Sequence, residues 1–187
     1  MGVPAVFALA QSALETGWGK HAPRHMLFGI KKGAGVSYGG WQGATQLITT
    51  TEYLKTPHTT FPVILSGYPI QLPSGIWKYK IKDHFRAYAS PLGSFMDWAG
   101  LLRKNKRYRK AWQYRSSPAL FAKAIIAGGY ATDPHYHHKI TQLMQEITAL
   151  IRRYGLAKKH QKTRYLGILL VLGIVFSIGM IQYARNL

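Results

Sequence analysis

Apolar positions near the start of the chain recur with helical spacing. Val6, Leu9, Ala10, Ala13 and Leu14 fall at i, i+3 and i+4 intervals, so residues 3–16 are expected to form a helix that Gly17-Trp18-Gly19 ends. The pattern then changes. Over residues 20–90, glycines, prolines and threonines separate short apolar runs, of which residues 46–53 and 78–85 read as strands. K-Y-K-I-K-D-H-F alternates as a half-exposed strand does. Between the two runs, T-P-H-T-T-F-P-V-I-L-S-G-Y-P-I-Q-L-P-S-G reads as a long irregular insertion. Helical periodicity returns from Ser90, over residues 92–102, 108–114, 118–127 and 133–154. Pro91 and Pro118 suit first turns of helices, and Thr132 or Asp133 suits the cap of the last one. There is no internal repeat. The expectation is an α+β fold with a mainly helical lobe and a small β-lobe.

The longest apolar run comes last. Residues 165–184, Y-L-G-I-L-L-V-L-G-I-V-F-S-I-G-M-I-Q-Y-A, carry no charge and lie between Arg164 and Arg185. At a helical rise of about 1.5 Å per residue they match a hydrocarbon core of about 30 Å. Tyr165 and Tyr183 stand where interfacial aromatics belong. A C-terminal transmembrane helix is therefore expected, giving a domain over residues 1–156, a basic linker at 157–164, the span at 165–184 and a tail at 185–187. Six cations between Arg152 and Arg164 precede the span and only Arg185 follows it, so the positive-inside rule leaves residues 1–164 on the cytoplasmic side. No Lys or Arg precedes the short apolar stretch at the N-terminus, which is read as a structural helix rather than an export signal.

Composition narrows the chemistry. Lys and Arg number 25 against six Asp and Glu, a formal charge of +19, which calls for an anionic partner: nucleic acid, a lipid surface or an acidic wall polymer. With 47% hydrophobic residues and only 17% charged ones, the chain can fill a core. The absence of cysteine excludes disulfides, thiolate metal sites and a Cys nucleophile. Carboxylate chemistry must come from Glu15, Glu52, Asp83, Asp97, Asp133 or Glu146. Glu15 ends an otherwise apolar helix next to Trp18, an environment that raises a carboxyl pKa toward that of a general acid. From position alone, a solvated Glu at a helix end is the plainer reading. Glu52, in T-T-T-E-Y, is either a solvent-facing strand residue or a second carboxylate. Paired carboxylates are what glycosidic cleavage commonly uses.

Five blocks then occur in order: A-Q-S-A-L-E-T-G-W-G-K (10–20), L-F-G-I-K (27–31), T-T-E-Y (50–53), F-R-A-Y-A-S (85–90) and A-G-G-Y-A-T-D-P (127–134). Over residues 2–154 the chain resembles the glucosaminidase domain of glycoside hydrolase family 73, found in bacterial autolysins and flagellar peptidoglycan hydrolases. The resemblance implies a lysozyme-like fold and cleavage of peptidoglycan at N-acetylglucosaminyl linkages. It makes Glu15 the catalytic general acid, Glu52 the β-lobe partner carboxylate and Tyr130 a substrate-positioning or catalysis-assisting residue. Trp18, Phe28 and Tyr53 are the expected substrate contacts. A lytic transglycosylase or muramidase would share the fold and the Glu. Non-catalytic binding to wall polymer or nucleic acid is the alternative of another class.

The chain departs from the family pattern in three places. It begins at Gly-Val-Pro, where the family usually has a preceding helix, so the apolar face of residues 3–14 is expected to need cover from a membrane, another protein or the insertion. Met26 stands where Asn is usual, and the interval from Glu52 to Phe85 is long.

Residues 103–115, R-K-N-K-R-Y-R-K-A-W-Q-Y-R, hold seven cations and no acid. Read alone, they form a nucleic-acid patch or a solvated face. For an enzyme of this family, anionic polymers or lipid head groups are the better partners, and nucleic acid is not expected. His135, His137 and His138 lack acids other than Asp133 and are read as exposed residues at a helix start. Neither metal nor cofactor is expected, and Asp133 is read as a cap. Localisation follows from the tail: a bacterial inner membrane, or the membrane of a lipid-containing virion. A domain held inside reaches the wall only once the membrane is breached, which suits a phage lysin.

Overall fold

A computed structural model of the protein describes residues 2–131, 133 and 135–154. The expected linker, transmembrane span and tail, residues 157–187, lie outside them. Among the described residues, no helix is long and apolar enough to cross a membrane. The chain divides into two compact units, Gly29–Tyr88 and the residues on either side of it.

The flanking unit is helical. α1 (Ala5–Thr16) is apolar on almost every side, and Phe7, Leu9, Ala10, Gln11, Ser12 and Ala13 are all buried. The cover expected from outside is supplied within the unit, by α3 (Pro118–Ala127) and α4 (Tyr136–Arg153), on which α1 packs. Phe7 sets the centre of this core, with its ring centroid 5.4 Å from Phe121 and 5.9 Å from Trp98. α2 (Pro91–Lys104) brings Trp98, and it starts at Ser90, whose hydroxyl accepts from the Gly93 amide at 3.3 Å. That cap and Pro91 in the first turn satisfy the helix start the spacing predicts. α4 buries Tyr136, Ile140, Met144, Ile147 and Leu150, the one-sided stripe of an amphipathic helix. Residues 108–114, expected to be helical, fall within the 3-10 helix Lys106–Tyr114, which packs on α3.

The Gly29–Tyr88 unit is an antiparallel sheet. β1 (Thr45–Leu54) pairs along its whole length with β4 (Trp77–Arg86), with Glu52 opposite Tyr79 and Ile48 opposite Asp83. Side chains alternate across the pleat, so Glu52 and Asp83 share a face. The insertion is more regular than its composition suggested. β2 (Val63–Ile64) and β3 (Ile70–Gln71) both pair with β4, on the side away from β1. Each is only two residues long, too short for periodicity to register. Arg86 is almost fully buried; its guanidinium donates to the Ala34 carbonyl and lies 4.9 Å from the Trp41 ring centroid.

Candidate active site

Glu15 stands in the last turn of α1. The helix stops there because Gly17, Trp18 and Gly19 all take positive φ, at 56°, 60° and 86°. The amides of Gly17 and Trp18 both return to the Ala13 carbonyl, the latter at 2.9 Å, and the Thr16 hydroxyl accepts from Gly19 at 2.8 Å. A left-handed conformation is cheap for glycine and costly for tryptophan, so the strain falls on Trp18, which is left half-exposed.

The Glu15 residue presents surface to solvent, while its carboxyl reaches Tyr136 at the start of α4. The Tyr136 hydroxyl donates to Glu15 Oε1 at 3.4 Å, and the buried Gln11 amide, one turn back on α1, donates to the Tyr136 hydroxyl. Desolvation by the surrounding protein raises the Glu15 pKa above its ordinary value. Hydrogen bonds from Tyr136 and Gln11 favour the ionised form and offset part of that rise. Residue exposure and carboxyl desolvation do not conflict, since a side chain at the rim of a packed surface can be wet on one side and dry on the other.

Tyr130 belongs to the same cluster. Its ring centroid lies 6.1 Å from that of Tyr136, and its hydroxyl accepts from the Trp98 indole N–H at 3.2 Å. Burial first, and the nearby Glu15 charge second, push the ionisation of both tyrosines well up. Both therefore remain neutral. The cluster joins a carboxyl biased toward its protonated form to two neutral phenols, an arrangement that can hand a proton to a leaving oxygen.

The start of α4 is fixed by Asp133. Its carboxylate accepts from the His135 amide at 2.8 Å and pairs with Lys139 Nζ at 2.7 Å. The Lys139 hydrogen bond is the largest influence holding the Asp133 carboxyl below its usual range. Asp133 is not the cap of α4 that the sequence suggested: the N-cap position is His135, no side chain caps the helix, and Asp133 instead fixes the turn that leads into it. Among the described residues, no group of three His, Asp or Glu side chains is placed to hold a metal ion.

Phe28 is placed differently from the expectation. Only 5% exposed, it stacks on Trp98 with centroids 4.3 Å apart and planes within 4°, and meets Phe95 edge-on at 5.0 Å. Its ring is core, with no free face for a sugar. Its effect on the site runs through Trp98, which donates to Tyr130.

In the sheet unit, Glu52 Oε1 accepts from Lys31 Nζ at 2.8 Å, and Lys31 also pairs with Asp83 at 3.0 Å. Burial pulls the Lys31 ammonium down, but the two carboxylates outweigh it and hold the pKa above its usual value. Tyr53, the next residue on β1, is 60% exposed. Sequence reasoning missed Gln11, Trp98, Tyr136 and Lys31. Gln11 could have been found, because it is a polar residue in an apolar helix, one turn before Glu15 on the same face.

A helical unit with such a carboxyl at the end of a buried helix, together with an antiparallel sheet unit, defines the lysozyme-like class of α+β folds. Residues 1–149 match the glucosaminidase family, described as mannosyl-glycoprotein endo-beta-N-acetylglucosaminidase, and the chain belongs to that family. It is 36% identical over 156 residues to peptidoglycan hydrolase FlgJ of Escherichia coli, an alignment covering 80% of this chain and 42% of that protein. The chain therefore spans less than half the length of this relative. Among solved structures it is similar to the glycoside hydrolase domain of Salmonella typhimurium FlgJ, at 34% identity and a TM-score of 0.56 over 79% of this chain and 85% of that one. A peptidoglycan hydrolase mutant from Sphingomonas sp. A1 follows, at 33% identity and a TM-score of 0.52 over 76% and 80% of the two chains. The family read from the five motif blocks is the family found.

Proposed function

We propose that the chain is a glycosidase that cleaves N-acetylglucosaminyl bonds of peptidoglycan, held at a membrane by residues 165–184. The observation that carries this reading is the Glu15–Tyr136 pair, a carboxyl with a raised pKa at the end of α1 in a chain of the glucosaminidase family. Glu15, protonated, donates to the glycosidic oxygen as the bond breaks. Tyr130, neutral and held by Trp98, positions the sugar at that bond. Trp18 and Tyr53 offer aromatic surface to the glycan. Positive charge then develops on the sugar, supported by Glu52 or by the substrate's own N-acetyl oxygen. Glu52 suits electrostatic support better than attack, because one of its oxygens is taken up by Lys31.

Digestion of purified sacculi with analysis of the released muropeptides tests the reading. Products ending in reducing N-acetylglucosamine support it. Reducing-end muramic acid identifies a muramidase, and 1,6-anhydro ends identify a lytic transglycosylase. Intact sacculi after incubation with active-concentration enzyme overturn the hydrolase reading altogether.

The distribution of Lys and Arg about residues 165–184 further supports a domain that starts on the cytoplasmic side. Such an enzyme acts after the membrane is breached, as a phage lysin or a lysin carried in a virion membrane does. Protease added to intact spheroplasts should leave residues 1–160 uncut; digestion there overturns this orientation.

A further inference from the structure

The cationic stretch 103–115 folds as part of the helical unit, and its position bears on the substrate. Two of its three aromatic rings turn inward: Tyr108 is buried, and Trp112 meets Phe121 edge-on with centroids 5.6 Å apart. Arg103 lies 5.5 Å over the Trp112 ring. Gln113 and Tyr114 apart, the exposed side chains are cations: Arg103, Lys104, Lys106, Arg107, Arg109, Lys110 and Arg115. The middle of the stretch lies at the site. The Tyr108 ring centroid is 6.1 Å from that of Tyr130, and Arg107 Nη1 lies 3.7 Å from where a Cβ on Gly129 would stand. It ends elsewhere, with Arg115 and Trp112 against Gly2, ahead of the start of α1. Glu15 is at the other end of that helix. From Arg107 to Arg115 the cations therefore form a row that leaves the tyrosine of the site and runs along the unit for about 16 Å, at roughly 2 Å per residue of 3-10 helix.

We propose that this row is a track for anionic groups carried at intervals on the same polymer whose glycosidic bond lies at Glu15. The groups are the carboxylates of peptide branches on the glycan, or the phosphates of a second polymer joined to it. The inference rests on the glycosidase reading above and adds the charge of the substrate to it. Three features favour a track over other partners of a basic surface. Of its three rings only Tyr114 is exposed, and one ring makes no run of stacking platforms for successive bases, as binding of single-stranded nucleic acid would use. A lipid contact would gather cations where the chain leaves α4, at Arg152 and Arg153, about 25 Å along the helix from Tyr136. Arg107 instead stands beside Tyr130. No acid interrupts residues 103–115, so the field along the row keeps one sign.

The test uses the full chain and a triple variant, Lys106→Gln, Arg109→Gln and Lys110→Gln, with kcat/KM measured on three substrates: intact sacculi, glycan strands freed of peptide by an amidase, and sacculi stripped of phosphate polymer by hydrofluoric acid. At low salt the wild type should prefer the anionic substrate about tenfold, chiefly through KM. The triple variant and high salt should both abolish that preference. Loss of the preference on amidase-treated strands identifies carboxylates as the ligand, and loss on acid-stripped sacculi identifies phosphates. A variant that keeps the full preference overturns the proposal. So does one whose activity falls equally on every substrate, since that reports a structural defect. A variant with unchanged preference but lost salt-sensitive binding to phosphatidylglycerol vesicles makes the row a lipid surface instead. Failure of the glycosidase reading is distinct from all of these, because the wild type would then cut none of the substrates.

Discussion

On the proposed mechanism Glu15 holds a proton at a pH where an ordinary carboxyl has lost it, and its surroundings pull in both directions. Desolvation raises its pKa; the Tyr136 hydroxyl and Gln11 amide lower it. Glu15→Gln should cut activity on sacculi by about 10²- to 10⁴-fold, the usual worth of a general acid. It should not destabilise the fold at neutral pH. The unfolded carboxyl titrates near 4.5 and the folded one higher, so stability is full below 4.5 and declines as pH rises through the folded pKa. Gln does not titrate and escapes that decline. Melting curves at pH 4 and pH 7 check the sign: relative to wild type, the variant should gain on going to pH 7, and a relative loss contradicts the raised pKa. Tyr136→Phe keeps the packing but removes a donor to the ionised carboxyl. The Glu15 pKa should rise further, moving the alkaline limb of the pH–activity profile upward while kcat falls. An unmoved limb with lower activity would reduce Tyr136 to a packing residue. The sequence made Glu15 visible through its motif, but Tyr136 was hidden among three histidines, because a partner 121 positions away leaves no local signature.

At the scale of elements, the long helices and the two long strands were legible because each has a period and a stop signal. α3 begins at Pro118 and runs to Ala127, as its pattern predicts. The insertion was not legible, because β2 and β3 exist only through pairing with β4. The same holds for the contact between α3 and the 3-10 helix, which depends on one small residue. A Cβ on Gly128 would stand 2.8 Å from a Tyr108 ring carbon and 2.9 Å from the Arg107 carbonyl oxygen. Its φ of −74° is ordinary, so Gly128 is there for space and not for backbone freedom. Gly128→Ala should push the 3-10 helix off α3, at a cost of about 1–3 kcal/mol. Tyr130 lies two residues on and should shift with it. Urea denaturation measures the first effect and KM on sacculi the second. A variant as stable as wild type would mean the 3-10 helix moves freely there.

At the scale of the whole chain, 13 of the 25 cations gather in two stretches. One part lies on the helical unit along residues 103–115. Another lies between Arg152 and Arg164, ahead of the twenty uncharged residues 165–184. Attraction of this cationic segment to anionic lipid would by itself hold the protein on a membrane, but salt would release it. A spanning segment holds by burial of apolar side chains and is indifferent to salt. The two are separable in one fractionation. The full chain should sediment with membranes and stay there through molar salt and alkaline extraction. Val171→Arg with Ile174→Arg places two charges at the centre of the segment, each costing about 2.5–3.5 kcal/mol there, and should convert retention into the salt-sensitive kind. Gln at Lys158, Lys159 and Lys162 should leave extraction-resistant retention intact while weakening the orientation bias. Release of the wild type by salt alone would show that the basic segment does the holding, and that residues 165–184 do not span.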